Sequence, residues 1–175
     1  MKFFGIGLAV LLVAAMIVGC GGDEDTVDGY KTKTVSDITL MWKTNNAEDS
    51  LLVKVSATTV GWVAVGFDPT VGMQDANIII GYVVNDTAYV RDDVGTGLHS
   101  HAPDTTLGGT NDVADIAGTE DAGITEISFT IPLDSGDLQD QVLVVGESYV
   151  VILAWGTDDD FDALHTVRVT TEIDI

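Results

Sequence analysis

The chain has 175 residues, room for one domain behind a short leader, and its 46% hydrophobic content supplies a core that a disordered tail lacks. Twenty-eight acidic against seven basic residues give a formal charge of −21, which excludes unaided binding to a nucleic-acid backbone and disfavours docking on anionic lipid through a basic face. The single cysteine excludes an internal disulfide, a CxxC metal knuckle and a CxxCH haem attachment.

That cysteine closes the first segment. Met1-Lys2 is a minimal positive start, and Phe3 to Val18 is a short run of apolar and small residues, which reads as an export signal before it reads as a spanning helix. Ile17-Val18-Gly19-Cys20 matches a lipobox, whose small residues admit the signal peptidase and whose cysteine thiol takes the lipid. An uncleaved anchor with an incidental cysteine is the other reading. The expected organisation is a lipoprotein signal peptide over 1–19, a flexible tether over 20–29 that includes Gly21-Gly22-Asp23-Glu24-Asp25, and one domain over 30–175. Such a chain works outside the cytoplasm, lipid-anchored through Cys20 to the cell membrane or outer membrane.

From there the period is two. Ile38 to Lys43 and Leu52 to Ser56 alternate, whereas Gly61 to Phe67 and Ala76 to Val84 are more continuously apolar, as strands buried on both faces are. Asn85-Asp86 is a turn signal before a returning arm at Thr87 to Arg91. Asp92 to Gly123 is polar, rich in Gly and Asp, and reads as a long irregular loop of the kind that carries function. Strands resume at Ile124 to Ile131, Ser148 to Trp155 and Thr166 to Ile173. With no sustained helical stripe, the expected fold is all-β: an antiparallel sandwich of about eight to ten strands.

Little stand-alone chemistry is legible. There is no GxSxG, no readable catalytic carboxylate pair and no Gly-rich phosphate loop, so the chain does not read as an enzyme. His99-Ser100-His101 has a spacing that suits a metal on an extended chain, against a plainly solvated loop. Acid runs at Asp23-Glu24-Asp25, Asp92-Asp93 and Asp158-Asp159-Asp160 suggest calcium, but none follows an EF-hand loop. Met73 sits in a polar loop between two apolar strands, and His165 opens the last one. A thioether and an imidazole are an axial pair for an electron-transfer haem; two unrelated side chains are the alternative, and these residues alone do not choose.

Larger motifs run in order along the chain. Gly61-Trp62-Val63-Ala64-Val65-Gly66-Phe67, Met73, Ala76 to Gly81, His101-Ala102-Pro103-Asp104, Leu107 to Asp112, Phe129 to Asp137, Ala154 to Phe161 and Leu164-His165 together resemble the DOMON domain family, which includes the cytochrome domain of cellobiose dehydrogenase. The resemblance spans about Ile38 to Ile173 and implies an immunoglobulin-like β-sandwich that holds haem b non-covalently, or a sugar, between its sheets or at one end. It implies Met73 and His165 as axial ligands of the iron. Trp62, Phe67, Ile79 and Trp155 are candidates to wall the ring and equally candidates for plain core, and His101, which falls within a matched motif, is expected to hydrogen-bond or rim the pocket, with Asp104 its nearest acid in sequence. The implied function is a b-type module passing single electrons to a redox partner protein. The alternative is a non-redox module for a carbohydrate or other small ligand. Two positions depart from similar bacterial sequences: Thr166-Val167-Arg168-Val169 keeps an arginine after the histidine but no glycine, and Ile131 replaces an arginine.

Overall fold

Burial follows the alternation residue by residue. In a computed structural model that describes residues 25–175, Leu51, Val53, Val55 and Ala57 are buried while the residues between them are half-exposed. The leader over 1–19 and Cys20 lie outside the described residues.

Each strand expected from the sequence is present. The first sheet contains β1 (Asp25–Val27), β2 (Tyr30–Val35), β3 (Ile38–Thr44), β4 (Ser50–Ala57), β9 (Ala114–Asp121) and β10 (Ile124–Pro132), in the spatial order β1-β2-β3-β4-β10-β9. The second contains β5 (Val63–Phe67), β6 (Asn77–Val84), β7 (Thr87–Gly97), β8 (Ser100–Pro103), β11 (Ser148–Trp155) and β12 (Val167–Asp174), in the order β12-β11-β5-β6-β7-β8. Neighbouring strands are antiparallel throughout, for example Val53 opposite Phe129 and Val65 opposite Ile79. The all-β sandwich is as expected.

Its core lies between the sheets. Ile38, Leu40 and Trp42 of β3, Val53 and Val55 of β4, and Ile127 and Phe129 of β10 pack with Val65, Phe67, Ile79 and Leu153 of the second sheet. The Trp42 indole brings a polar N–H into this core and donates it to the Asp174 carbonyl of β12 at 2.9 Å, which satisfies the donor and links the sheets.

Asp92 to Gly123 departs from the long loop expected. β7 continues through Asp92 and Asp93 to Gly97, β8 pairs back on it, a single 3₁₀ turn covers Asp104–Thr106, and β9 begins at Ala114. β8 and β9 are two of the four strands that the sequence does not announce; the other two are β1 and β2, and β1 lies in the stretch expected to be a flexible tether. The irregular part shrinks to residues 107–113. β9 escaped pattern reading because it is an edge strand, exposed along nearly its whole length, so neither face selects apolar residues.

Ile127, fully buried, and Ile124, 48% exposed, belong to the same strand. Ile127→Ala should therefore cost about 2–5 kcal/mol in chemical denaturation, and Ile124→Ala about 0.5 kcal/mol or less.

Candidate functional site

Successive residues of a strand face opposite sides of the sheet. In β5, Val63, Val65 and Phe67 enter the core, so Ala64 and Gly66 face away from the first sheet. In β6 the same alternation sends Ile78 and Ile80 outward opposite Ile79, and in β11 it sends Ile152 and Ala154 outward opposite Val151 and Leu153. β12 turns Val167 and Val169 to the core and Arg168 and Thr170 away. The outer face of the second sheet is thus apolar where a solvated sandwich would be polar.

Loops cover it incompletely and leave a cleft of about 820 Å³, within the range of small-molecule and cofactor sites. Along its floor Ile152 and Ile78 close over Gly66, where a Cβ would lie 2.7 Å from the Ile152 side chain. At one flank Trp62, Ala64 and Ile80 pack with Tyr82, Phe161 and Ala163 in a second apolar cluster.

Met73 and His165 both border this cleft, as do Trp62 and His101. Phe67 and Ile79 do not; they are fully in the core between the sheets. Trp155 packs against that core and donates its indole N–H to Asp37 Oδ1 at 3.1 Å. Each lies one position out of phase with the outward face, so the neighbours Gly66, Ile78, Ile80 and Ala154 line the cleft instead. Their signal in the sequence is that both phases of these strands are apolar, one of them with small residues. Arg168 also lines the cleft and supplies a cation beside His165.

The Met73 loop is fixed by backbone contacts. The Met73 amide donates to Leu98 O at 3.3 Å, the Asp75 amide to Gly95 O at 2.8 Å, and the Gly95 amide to Ala76 O at 2.9 Å. A Cβ on Gly95 would fall 1.5 Å from the Met73 carbonyl oxygen, so no side chain fits where β7 meets this loop. The segment before His165 is held by Gly156 N–H to Trp62 O at 3.0 Å, Trp62 N–H to Asp158 O at 3.2 Å and Thr166 N–H to Trp155 O at 2.8 Å. Asp160, part of an acid run, accepts the Asp162 amide at 3.0 Å and shapes the turn.

His101 is engaged, but by Asp93 rather than by its sequence neighbour Asp104. Its Nδ1–H donates to Asp93 Oδ2 at 2.5 Å, while Arg91 donates Nε–H to Asp93 Oδ1 at 2.6 Å and Nη2–H to Oδ2 at 2.8 Å. Register explains the exchange: β7 pairs Gly95 with His101, which puts His101 on the outward face with Arg91 and Asp93. Burial alone would raise the Asp93 carboxyl, but the hydrogen bonds from His101 and Arg91 outweigh it and hold the group below its ordinary value. Arg91 also reaches Asp162 at 3.1 Å and stacks 4.7 Å over the Phe161 ring, so this group anchors the His165-side loop.

Arg91→Met would leave the fully buried Asp93 with His101 alone, and should cost about 3 kcal/mol in a denaturant titration. His101→Ala, which keeps both Arg91 bonds, should cost clearly less.

The same architecture recurs in known proteins. The chain aligns with the cytochrome b domain of pyranose dehydrogenase from Coprinopsis cinerea at a TM-score of 0.63 and 14% identity, covering 86% of this chain and 85% of that one. It aligns with the cytochrome domain of Myriococcum thermophilum cellobiose dehydrogenase at 0.58 and 11%, covering 82% and 81%. At such identities the likeness is one of fold. Residues 34–156 match the DOMON domain, and the chain belongs to that family.

Proposed function

We propose that this DOMON domain is a b-type haem module that carries single electrons, with the Met73 thioether and the His165 imidazole as the two axial ligands. The observation that carries the reading is that these two side chains, distant in sequence, border one apolar cleft on the outer face of the second sheet.

The residues present fit the group. The donor set is one thioether and one imidazole, which suits a low-spin iron, and the small residues Ala64, Gly66 and Ala154 in an otherwise apolar lining leave room for a large apolar ring. Arg168 offers a counter-charge for a propionate. Haem b supplies, when bound, a one-electron ferric/ferrous couple. The chain's part is to hold both ligands on braced loops and to exclude water with the Ile78, Ile80 and Ile152 side chains. With Met73 and His165 both holding the iron, haem bound here would offer oxygen no coordination site, and the module would pass electrons to a partner protein rather than catalyse by itself. Thioether ligation raises the potential, and the acidic surface lowers it.

The fold likeness to two cytochrome domains of dehydrogenases supports this reading. The purified protein should show a sharp Soret band and a reduced α-band, either as isolated or after adding hemin. His165→Ala should abolish haem retention, and Met73→Ala should leave a high-spin haem of lower potential. Spectra indifferent to both substitutions would contradict the assignment; a colourless protein that ignores hemin would favour the carbohydrate- or small-ligand module.

We further propose an extracytoplasmic location with lipidation at Cys20, supported by the Ile17-Val18-Gly19-Cys20 motif and the acidic stretch after it. Cys20→Ser should move the protein from the membrane fraction to the soluble one or leave an unprocessed precursor. Undiminished membrane retention of a processed mutant would count against it.

A further inference from the structure

The strand that carries Asp93 outward carries Asp92 inward, into a nest of aspartates at one end of the sandwich. Asp92 comes from β7, Asp104 opens the 3₁₀ turn, Asp112 lies in residues 107–113, and Asp137 and Asp140 follow β10. Carboxylate oxygens of Asp92, Asp104 and Asp140 lie within 4.8 Å of one another, as do those of Asp112, Asp137 and Asp140. Asp140 belongs to both groups.

Proximity of acids alone would mean little in so acidic a chain. What sets this group apart is burial without partners. Asp104 is 0% exposed and neither of its carboxylate oxygens has a hydrogen-bond partner; Asp92 is 3% exposed and its Oδ1 is unpartnered, as is Oδ1 of Asp140. The remaining oxygens are pinned: Asp92 Oδ2 accepts the Asp112 amide at 3.0 Å, and Asp140 Oδ2 accepts the Ser135 hydroxyl at 2.6 Å. Asp92 and Asp140 are therefore each fixed by one oxygen and present the other. Gly109 closes the loop over them, where a Cβ would meet Asp137 Oδ2 at 2.8 Å and Asp104 Cβ at 3.1 Å.

Leaving buried carboxylates unpaired is costly. Burial first, then repulsion from Asp92, Asp140, Asp137 and Asp93, pushes Asp104 up to about 8; burial, with Asp140, Asp112 and Asp93 adding to it, pushes Asp92 up to about 7. The strongest charges acting on them are thus all negative. A cation removes that conflict.

We propose that Asp92, Asp104 and Asp140, flanked by Asp112 and Asp137, form a calcium site that ties together the loops at this end of the sandwich. An all-oxygen donor set selects a hard cation over zinc or copper. Calcium takes about six to eight oxygens in a flexible geometry, which suits carboxylates gathered from several loops, whereas magnesium demands a regular octahedron. This site is independent of the haem reading, because Asp92 and the cleft residues lie on opposite faces of the second sheet.

The test is calorimetric titration of the EGTA-stripped wild-type protein with calcium chloride, paired with thermal melts. Saturable binding and a rise in Tm of about 5 °C at 10 mM calcium are expected, with a smaller rise in equimolar magnesium. Asp104→Asn and Asp140→Asn should each lose the rise, while Asp159→Asn, in the exposed acid run, should keep it. No saturable heat with the wild type would overturn the proposal, whatever the variants do. So would a rise that both variants retain, which would mean general screening of the acidic surface, or an equal response to magnesium.

Discussion

A β-strand cannot bury one residue without turning the next to the other side, and this constraint governs the molecule. In β3, β4 and β10 it separates apolar from polar residues, so the first sheet has one packed face. In β5 both sets are apolar, and every residue is buried. A sheet built on such strands needs cover twice: the first sheet supplies it on one side, and loops supply it on the other. Where those loops fall short, an apolar cleft bordered by Met73 and His165 remains open.

The loops that frame the floor hold their positions through backbone and charge rather than through apolar packing alone. Gly95 lets β7 touch the Met73 carbonyl, so the Met73 loop is positioned by the edge of the sheet it covers. Across the floor, Arg91 spans the buried Asp93 and the exposed Asp162, and the Phe161 ring beneath it packs on Tyr82 at 4.7 Å. The adjacent acids Asp92 and Asp93 show how far a single residue step matters. Asp93, facing outward, finds a guanidinium and an imidazole; Asp92, facing inward, finds other carboxylates.

Much of the sandwich was legible because burial on one face imprints a period on the sequence. Ile38 to Lys43, Leu52 to Ser56 and Ile124 to Ile131 read as strands and are strands. β9 left no imprint, since exposure on both faces imposes none, and β8 is too short to show a period. The site was legible at Met73, His165, Trp62 and His101, where unusual side chains or a family motif mark the position. It was not legible along the strands. Phe67, Ile79 and Trp155 are large and were natural candidates for walls, but size favours the core, and the cleft is floored by Ala64, Gly66 and Ala154. Nor does sequence distance reveal partners: His101 bonds to Asp93 across a strand pair rather than to Asp104, three residues on.

Met73 and His165 are proposed to close on one iron over the outer face of the second sheet. X-ray absorption at the iron edge of the haem-loaded protein tests it most directly, because sulfur and nitrogen neighbours scatter differently. A sulfur ligand is expected beside the ring and imidazole nitrogens, with the sulfur signal absent from Met73→Ala. A shell of nitrogen or oxygen alone in the wild-type protein would contradict it.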